Sequence, residues 1–293
     1  MTERPAERVT PRLLRRLWRP DPAGDKEAKG RLLVVGGSTT TPGAVILAAE
    51  SALRVGAGKV QVATTASTAV QVAAAVPEAF VVGLDAPAGE LGPTAAEQVV
   101  ELADGADAVL VGCGIGDPDA ACELLERVAP GLDSPLVVDA LGTAFLTAHP
   151  TGLHHLRGRA LLTPNLNELA RVLHEDEHET SRDTLAATHR AADLTGVTVL
   201  SGGAVSYVAD PSGKAWAIDV AAPGAAVAGS GDVKAGAVAG MLAQGTTPAL
   251  AAMWGSYLHA RAGVRLTASV GPIGFLARDV SAQLPRELAH LLE

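Results

Sequence analysis

The stretch Ala228-Gly229-Ser230-Gly231-Asp232 precedes a run of small and apolar residues, 233–242, with the composition of a buried helix. Two glycines around a serine permit a tight backbone turn whose amide N–H groups converge, and the start of a helix adds its positive dipole. The stretch therefore predicts an anion site. The Asp232 carboxylate is placed to take a proton from a hydroxyl as a phosphoryl group arrives. A structural explanation stands beside this one, because the macrodipole favours an acidic residue in a first helical turn.

The composition describes an acidic protein with a large core. The 293 residues are 48% hydrophobic, enough for one sizeable α/β domain. We expect residues 1–293 to form a single domain, with residues 1–29 as an N-terminal arm. The net charge of −9, from 23 basic and 32 acidic residues, repels a phosphate backbone, and 3% aromatic residues offer little surface for base stacking. No nucleic acid partner is expected.

The cysteines and the N-terminal segment indicate the cellular compartment of the protein. Cys113 and Cys122 are the only two cysteines, and they have neither the spacing of a redox pair nor the number of a disulfide scaffold. This usage favours a reducing cytoplasm. Residues 1–22 are rich in arginine and proline and contain no long apolar run. They predict neither a secretory signal nor a membrane span.

Short apolar runs alternate with alanine-rich runs from Arg31 to about Leu200, which predicts a parallel sheet with helices on both faces. The expected strands are 31–35, 59–63, 80–83, 108–111, 136–139, 160–162 and 197–200. The expected helices are 42–55, 69–75, 95–103, 120–128, 166–173 and 183–194, with further packing helices over 248–293. Asp210-Pro211-Ser212-Gly213 predicts a tight turn between strands 206–209 and 215–220, a small hairpin at the sheet edge.

Glycine-rich turns follow two of the predicted strands. Ligands of open α/β sheets collect beyond the carboxyl ends of the strands, where glycine lets the backbone approach a ligand closely. Gly36-Gly37-Ser38 follows the first strand and leads to Gly43-Ala44, while residues 112–116 follow the fourth. The second turn is not a dinucleotide fingerprint, because Asp117 stands where the third glycine is required.

Polar residues follow the fifth and sixth strands. Asp139 is placed either to bind magnesium through water or a ribose, or to cap the next helix. Thr163-Pro164-Asn165 is followed by Glu168, and these residues have two interpretations. Asn165 and Glu168 form a capping box, or Glu168 orders a magnesium hydration shell beside phosphates. Both interpretations stay open.

These features occur in an order that resembles the ribokinase-like superfamily, and within it the ADP-dependent NAD(P)H-hydrate dehydratases, also described as the C-terminal YjeF-type domain. The resemblance runs from about Gly30 to Pro285. It implies an α/β three-layer sandwich, with a mostly parallel central sheet, helices on both faces and a small edge hairpin. It is carried by Gly36-Gly37-Ser38, Gly43-Ala44, 52–58, Pro77-Glu78, 112–116, Thr163-Pro164-Asn165 with Glu168, and Gly229-Ser230-Gly231-Asp232.

The resemblance implies a repair reaction on hydrated, damaged NADH or NADPH. Phosphate passes from ADP, a co-substrate, to the ring hydroxyl and is then eliminated, which leaves the intact dinucleotide, AMP and phosphate. Mg²⁺ is the implied cofactor, with no direct protein ligand and with Glu168 acting through water, and the implied assembly is a homo-oligomer, commonly a tetramer. Asp232 is the implied catalytic base; the implied substrate contacts are Ala44, Gly114, Asn165 and Asp232; and the implied nucleotide contacts are Ser201, Gly202, Gly203, Ala204, Val205, Gly229, Ser230 and Gly231.

One departure from the family concerns charge. The family usually carries a lysine where this chain has Ser201, so a positive charge is missing from the implied polyphosphate site. Lys234 offers a compensating charge, but its position in a helix two residues after Asp232 directs it away from that carboxylate. Three interpretations remain: the dehydratase, a kinase of a small alcohol, and a catalytically silent nucleotide-binding homologue.

Overall fold

The computed structural model describes residues 5–21, 23–220 and 223–293, and within them ten strands form one sheet. The strands are β1 (Glu7–Arg8), β2 (Arg31–Val35), β3 (Lys59–Thr65), β4 (Phe80–Leu84), β5 (Ala108–Val111), β6 (Leu136–Val138), β7 (Ala160–Leu162), β8 (Thr198–Ser201), β9 (Ser206–Ala209) and β10 (Ala215–Ile218). Their order across the sheet is β1-β10-β9-β8-β7-β6-β5-β2-β3-β4. All neighbouring pairs are parallel except β8 with β9 and β9 with β10.

Helices cover both faces of the sheet. They are α1 (Pro11–Leu17), α2 (Gly43–Arg54), α3 (Ala69–Ala75), α4 (Ala96–Ala103), α5 (Pro118–Val128), α6 (Thr143–Ala148), α7 (Leu166–Leu173), α8 (Glu177–Arg182), α9 (Thr184–Thr195), α10 (Ser230–Ala243), α11 (Pro248–Ser269) and α12 (Ala277–Leu292). Because the central strands are parallel and covered on both sides, the predicted α/β class is confirmed. No helix in the described ranges is long and apolar enough to cross a membrane.

Alternation along the strands divides the interior into two cores. In β2, Leu32 and Val34 contribute to one core, and Leu33 and Val35 to the other. The first core packs the sheet against α1 to α3 and α10 to α12, while the second packs it against α4 to α7 and α9. The sheet is therefore the middle of three layers.

The predicted elements agree with the structure to within about two residues at most ends. The strand predicted over 136–139 ends at Val138, because Asp139 begins a short 3₁₀ turn. Four elements were not predicted, namely β1, α1, α6 and α8. Each is seven residues or fewer, too short to establish a periodic pattern.

The predicted N-terminal arm contacts the rest of the fold in two ways. Strand β1 pairs in parallel with β10, so it lies outside the predicted hairpin at the edge of the sheet. Helix α1 packs on α11 and α12, and the Arg15 guanidinium Nη1 donates to the Leu291 carbonyl at 3.1 Å. Residues 1–4 and Pro22 of the arm lie outside the described residues.

Helices α2 and α10 approach each other without side chains between them. A Cβ added at Gly236 would collide with the carbonyl oxygen of Ala48, and one at Gly240 would lie 2.8 Å from the Cα of Ala52. Glycine is required here because the two backbones meet. The contact sets how far the first turn of α10 reaches over the sheet.

Adding one methyl group at this contact tests its importance. We expect Gly236→Ala to lower the free energy of unfolding by about 2 kcal/mol or more, because overpacking a fixed backbone costs more than the gain in helix propensity. Urea unfolding measures the loss. The matched control is Gly43→Ala in α2, where an added Cβ meets no atom within 4 Å. Equal stability of the two variants would show that the helices can move apart freely.

Candidate active site

The carboxyl ends of five neighbouring strands meet at one edge of the sheet. Strands β2, β5, β6, β7 and β8 are adjacent and parallel, so the loops that follow them lie side by side. Between β2 and β5 the chain order reverses, because β2 leads to β3 on one side and pairs with β5 on the other. A crevice beyond such a switch point is the usual ligand site of open α/β sheets.

The glycine turns after β2 and β5 contact each other at this switch point. The amide of Gly37 donates to the carbonyl of Cys113 at 2.7 Å, and the Thr41 hydroxyl donates to the carbonyl of Gly114 at 2.6 Å. A Cβ added at Gly114 would lie 2.7 Å from the Cβ of Ala44. Two of the predicted substrate contacts, Ala44 and Gly114, are therefore neighbours.

The loop 228–232 turns sharply into α10. Gly229 precedes the helix with a φ of 82°, which glycine adopts without strain. Gly231 is exposed and borders open space, since no heavy atom lies within 4 Å of a Cβ added there. The Ser230 hydroxyl is hydrogen-bonded to His259 Nε2 at 2.8 Å. The helix start thus presents an open turn at the sheet edge.

Asp232 belongs to a compact polar cluster with Cys113 and Asp139, whose polar side-chain atoms all lie within 4.8 Å of one another. The Cys113 thiol donates to Asp139 Oδ2 at 3.5 Å, and the Thr163 hydroxyl donates to Asp139 Oδ1 at 2.6 Å. Asp139 makes no side-chain cap hydrogen bond with the turn that it begins. The hypothesis that Asp139 caps the next helix is therefore wrong, because Thr163 and Cys113 hold its carboxylate.

Burial governs the protonation of this cluster. It raises the pKa of Asp232 to about 6. Burial also raises the pKa of Asp139 to about 6, against the hydrogen bond from Thr163. The pKa of the Cys113 thiol is raised well above its usual range by burial and by both carboxylates, so the thiol stays protonated and serves as a donor. A carboxylate with a pKa near neutrality suits general base catalysis.

Asn165 and Glu168 form the predicted capping box at the start of α7. Asn165 Oδ1 accepts from the Glu168 amide at 2.9 Å, and Glu168 Oε2 accepts from the Asn165 amide at 2.9 Å. The cap interpretation is confirmed, but it uses only one carboxylate oxygen of Glu168. Burial raises the pKa of Glu168, and the neighbouring Asp139 raises it further.

The donor set limits how Mg²⁺ fits this edge. Mg²⁺ prefers carboxylate and water oxygens, and it usually keeps several waters. Both oxygens of Asp139 already accept hydrogen bonds, and the Cys113 thiol is a poor ligand for a hard cation. Glu168 has one oxygen outside the capping box. These groups fit an ion held through water and phosphate oxygens beside Glu168.

The predicted nucleotide segment follows β8, and its first residue faces away from the site. The fully buried Ser201 hydroxyl accepts from the Thr188 hydroxyl of α9 at 2.9 Å and donates to the Tyr207 carbonyl at 3.4 Å. The Gly202 amide donates to the Pro164 carbonyl at 3.1 Å, which ties the segment to the loop after β7. Ser201 therefore offers a ligand only its backbone.

Two clefts flank the start of α10. The first, the hairpin cleft, has a volume of about 460 Å³ and is lined by Gly203, Ala204, Ile218, Lys234 and His259, among others. The second, the α2 cleft, has a volume of about 710 Å³ and its lining includes Gly43, Leu47, Val227, Ala228 and Phe275. The Gly229 turn lies between them, against Leu47 and Ala277. The segment that leads into α10 therefore contributes to both clefts, with Ala226 in the first and Val227 and Ala228 in the second.

Lys234 and His259 line the hairpin cleft, although the sequence predicted only a compensating charge for Lys234 and no role for His259. A Cβ added at Gly202 would lie 3.6 Å from Lys234 Nζ, so the side chain that points away from Asp232 points into the nucleotide segment. The signal was present, because Lys234 is the only charged residue in the run 233–242. Burial and the Lys234 ammonium lower the pKa of His259 to about 3, which keeps its ring neutral.

The raised pKa of Asp232 makes a prediction about stability. Its folded-state pKa lies above the ordinary value, so its stabilising contribution is complete at low pH and is lost as the pH rises through about 6. Asparagine is uncharged at every pH, so it avoids the cost of burying an ionised carboxylate. We expect Asp232→Asn to gain about 1–2 kcal/mol relative to the parent protein between about pH 4 and pH 8.

Urea unfolding at the two pH values measures this gain. The control is Glu97→Gln, which removes one exposed negative charge from α4. A difference between Asp232→Asn and the parent that does not change with pH would contradict the burial of a charged carboxylate at this position.

Sequence comparisons identify the relatives of the chain. A family model described as NAD(P)H-hydrate dehydratase matches residues 32–286. An ADP-dependent (S)-NAD(P)H-hydrate dehydratase from Xanthomonas campestris is 38% identical over 97% of this chain and 96% of its own length. The chain spans about half the length of other curated relatives, which are bifunctional NAD(P)H-hydrate repair enzymes.

Solved structures agree with the predicted fold. A ribokinase-like superfamily protein from Enterococcus faecalis superimposes with a TM-score of 0.83 and 25% identity, covering 98% of this chain and 96% of its own. An ADP/ATP-dependent NAD(P)H-hydrate dehydratase from Bacillus subtilis, co-crystallised with ATP/Mg²⁺, gives 0.81 and 23%, covering 98% and 99%. The ribokinase-like fold and the enzyme class predicted from the sequence are confirmed, and the chain belongs to the NAD(P)H-hydrate dehydratase family.

Proposed function

We propose that this chain catalyses the ADP-dependent dehydration of (6S)-hydrated NADH and NADPH to NADH and NADPH, with AMP and phosphate as products. One observation carries the proposal beyond family membership. The half-buried Asp232 carboxylate, with a pKa raised to about 6, lies beside the open glycine turn and next to Cys113 and Asp139 at the carboxyl edge of the sheet. The ADP-dependent relative, 38% identical over nearly the whole chain, supports the same activity.

The chemistry begins with a phosphoryl transfer. The Asp232 carboxylate takes the proton of the ring hydroxyl, and the hydroxyl oxygen forms a bond to the β-phosphorus of ADP. The bond from that phosphorus to the bridging oxygen breaks, and AMP leaves. The phosphate ester then departs as phosphate while the neighbouring ring carbon loses a proton, which restores the double bond. The amides of Gly229, Ser230 and Gly231 are the groups that stabilise the phosphoryl charge in transit.

We assign the two sides of the crevice to the two substrates. The damaged dinucleotide contacts Ala44 and Gly114, which adjoin the switch point, and Asn165, which is exposed at the start of α7. The nucleotide lies against the segment Ser201, Gly202, Gly203, Ala204 and Val205 and reaches the turn at Gly229, Ser230 and Gly231. Support for the second assignment comes from Gly203 and Ala204, which line the hairpin cleft beside α10.

Mg²⁺ is the cofactor of this proposal. When bound, it neutralises charge on the phosphates of the nucleotide. In this chain the partner group is Glu168, which would hold the ion through water with the oxygen left outside the capping box. Asp139 is saturated by Thr163 and Cys113, so its contribution is the negative charge it places nearby.

The domain, assembly and location remain predictions. We propose a single domain over residues 1–293, supported by the pairing of β1 with β10 and the packing of α1 on α11 and α12. We also propose that the protein is cytoplasmic and forms a homo-oligomer, with a tetramer as the expected form. Light scattering coupled to size-exclusion chromatography measures the assembly.

The activity is tested by incubating hydrated NADPH with the protein, ADP and Mg²⁺. We expect the absorbance of NADPH to return, with one AMP and one phosphate formed for each NADPH. Formation of a phosphorylated alcohol without NADPH would support the small-alcohol kinase instead. Binding of ADP and of hydrated NADPH without any turnover would support the catalytically silent homologue.

Removing the base tests the role of Asp232. We expect Asp232→Asn to lower kcat by about 10²–10⁴-fold, because the hydroxyl loses its proton acceptor. In the parent protein, kcat/KM should rise as the pH passes through about 6, where the carboxylate loses its proton. The control is Asp104→Asn, an exposed residue at the end of α4. Unchanged turnover in Asp232→Asn would mean that another group accepts the proton.

A further inference from the structure

The hairpin cleft contains a cation that the described ion pairs do not neutralise. Lys234 lines this cleft together with Gly203, Ala204 and His259. Carboxylates lie nearby, since Asp139 and Glu168 raise its pKa against the lowering effect of burial. Among the residues that the structure describes, however, neither forms an ion pair with Lys234. Its ammonium is thus free to meet an anion that enters the cleft.

The groups around Lys234 favour the binding of an anionic ligand in the hairpin cleft. Its side chain leaves the second turn of α10, whose first turn presents amide groups, and reaches the glycine segment after β8. His259 stays neutral, so it adds no competing positive charge and no negative one. Ser201, at the start of the same segment, turns its hydroxyl to Thr188 and Tyr207. Lys234 is therefore the only charged side chain that lines the hairpin cleft within the described residues.

We propose that Lys234 binds the terminal phosphate of ADP, the phosphoryl group that is transferred. This inference rests on the proposed function for the identity of the nucleotide. Lys234 lies two residues after Asp232 on the same helix, and its Nζ lies close to Gly202, the neighbour of Gly203 in the cleft lining. In this assignment the terminal phosphate of a nucleotide in the hairpin cleft meets Lys234 where the cleft reaches α10. In this role Lys234 supplies from a helix the charge that Ser201 does not supply from the strand end.

The test compares how the full-length protein binds ADP and adenosine, by calorimetry at constant Mg²⁺. Replacing a charged phosphate ligand by an isosteric apolar side chain removes a charge-assisted hydrogen bond. We expect Lys234→Met to weaken ADP binding about tenfold or more and to leave adenosine binding within about twofold. Lys234→Arg should retain most of the ADP affinity. The control is Lys214→Met in the β9–β10 turn, an exposed lysine outside the cleft.

The outcomes separate this inference from the proposed function. If Lys234→Met binds ADP as the parent does while the parent repairs hydrated NADPH, the assignment of Lys234 is overturned and the function stands. If the parent repairs nothing but Lys234→Met still loses ADP affinity selectively, the assignment of Lys234 stands without the function. Equal losses for ADP and adenosine would show a structural role and overturn the proposal. If Lys234→Met does not fold, Lys234→Gln takes its place in the same comparison.

Discussion

Helices α2 and α10 approach so closely that Gly236 and Gly240 leave no room for side chains between them. Much of the site depends on this contact. It holds the first turn of α10 over β5, next to the loop that carries Cys113. Because both helices are also buried against the sheet, α10 has little freedom to slide along its axis. Asp232 and the glycine turn before it therefore occupy a fixed position relative to the strand ends.

Burial at that position changes the chemistry of two carboxylates. Asp139 and Asp232 lie together in a region with little water, where a charged form is costly. The protein lowers this cost with neutral donors, the Thr163 hydroxyl and the Cys113 thiol, and keeps its cation further along the helix at Lys234. A direct salt bridge from Lys234 to Asp232 would have lowered the pKa of that carboxylate and made it a weaker base. The arrangement retains a proton acceptor near neutral pH.

Periodicity was sufficient to predict the sheet and most helices, and the glycine turns predicted which loops meet at the carboxyl edge of the sheet. The long elements, such as α2 and α9, have repeating patterns that few alternatives fit. The capping box of Asn165 and Glu168 could also be predicted, because it depends on two residues that are three positions apart in the sequence. What could not be predicted depends on distant contacts. The pairing of Cys113 with Asp139 and the contact of Ser201 with Thr188 join different elements, and the rotation of α10 that aims Lys234 at Gly202 is set by packing on α2.

The parallel pairing of β1 with β10 has a consequence for how the chain folds. Glu7 pairs with Trp216, so this segment finds its partner strand only after the residues between them have been made. Contacts between residues so far apart close large loops and form late. Until then, the outer strand of the hairpin presents an unpaired edge on which another chain can add. Pairing with the N-terminal segment covers this edge, and so it removes one site at which another chain could add during folding.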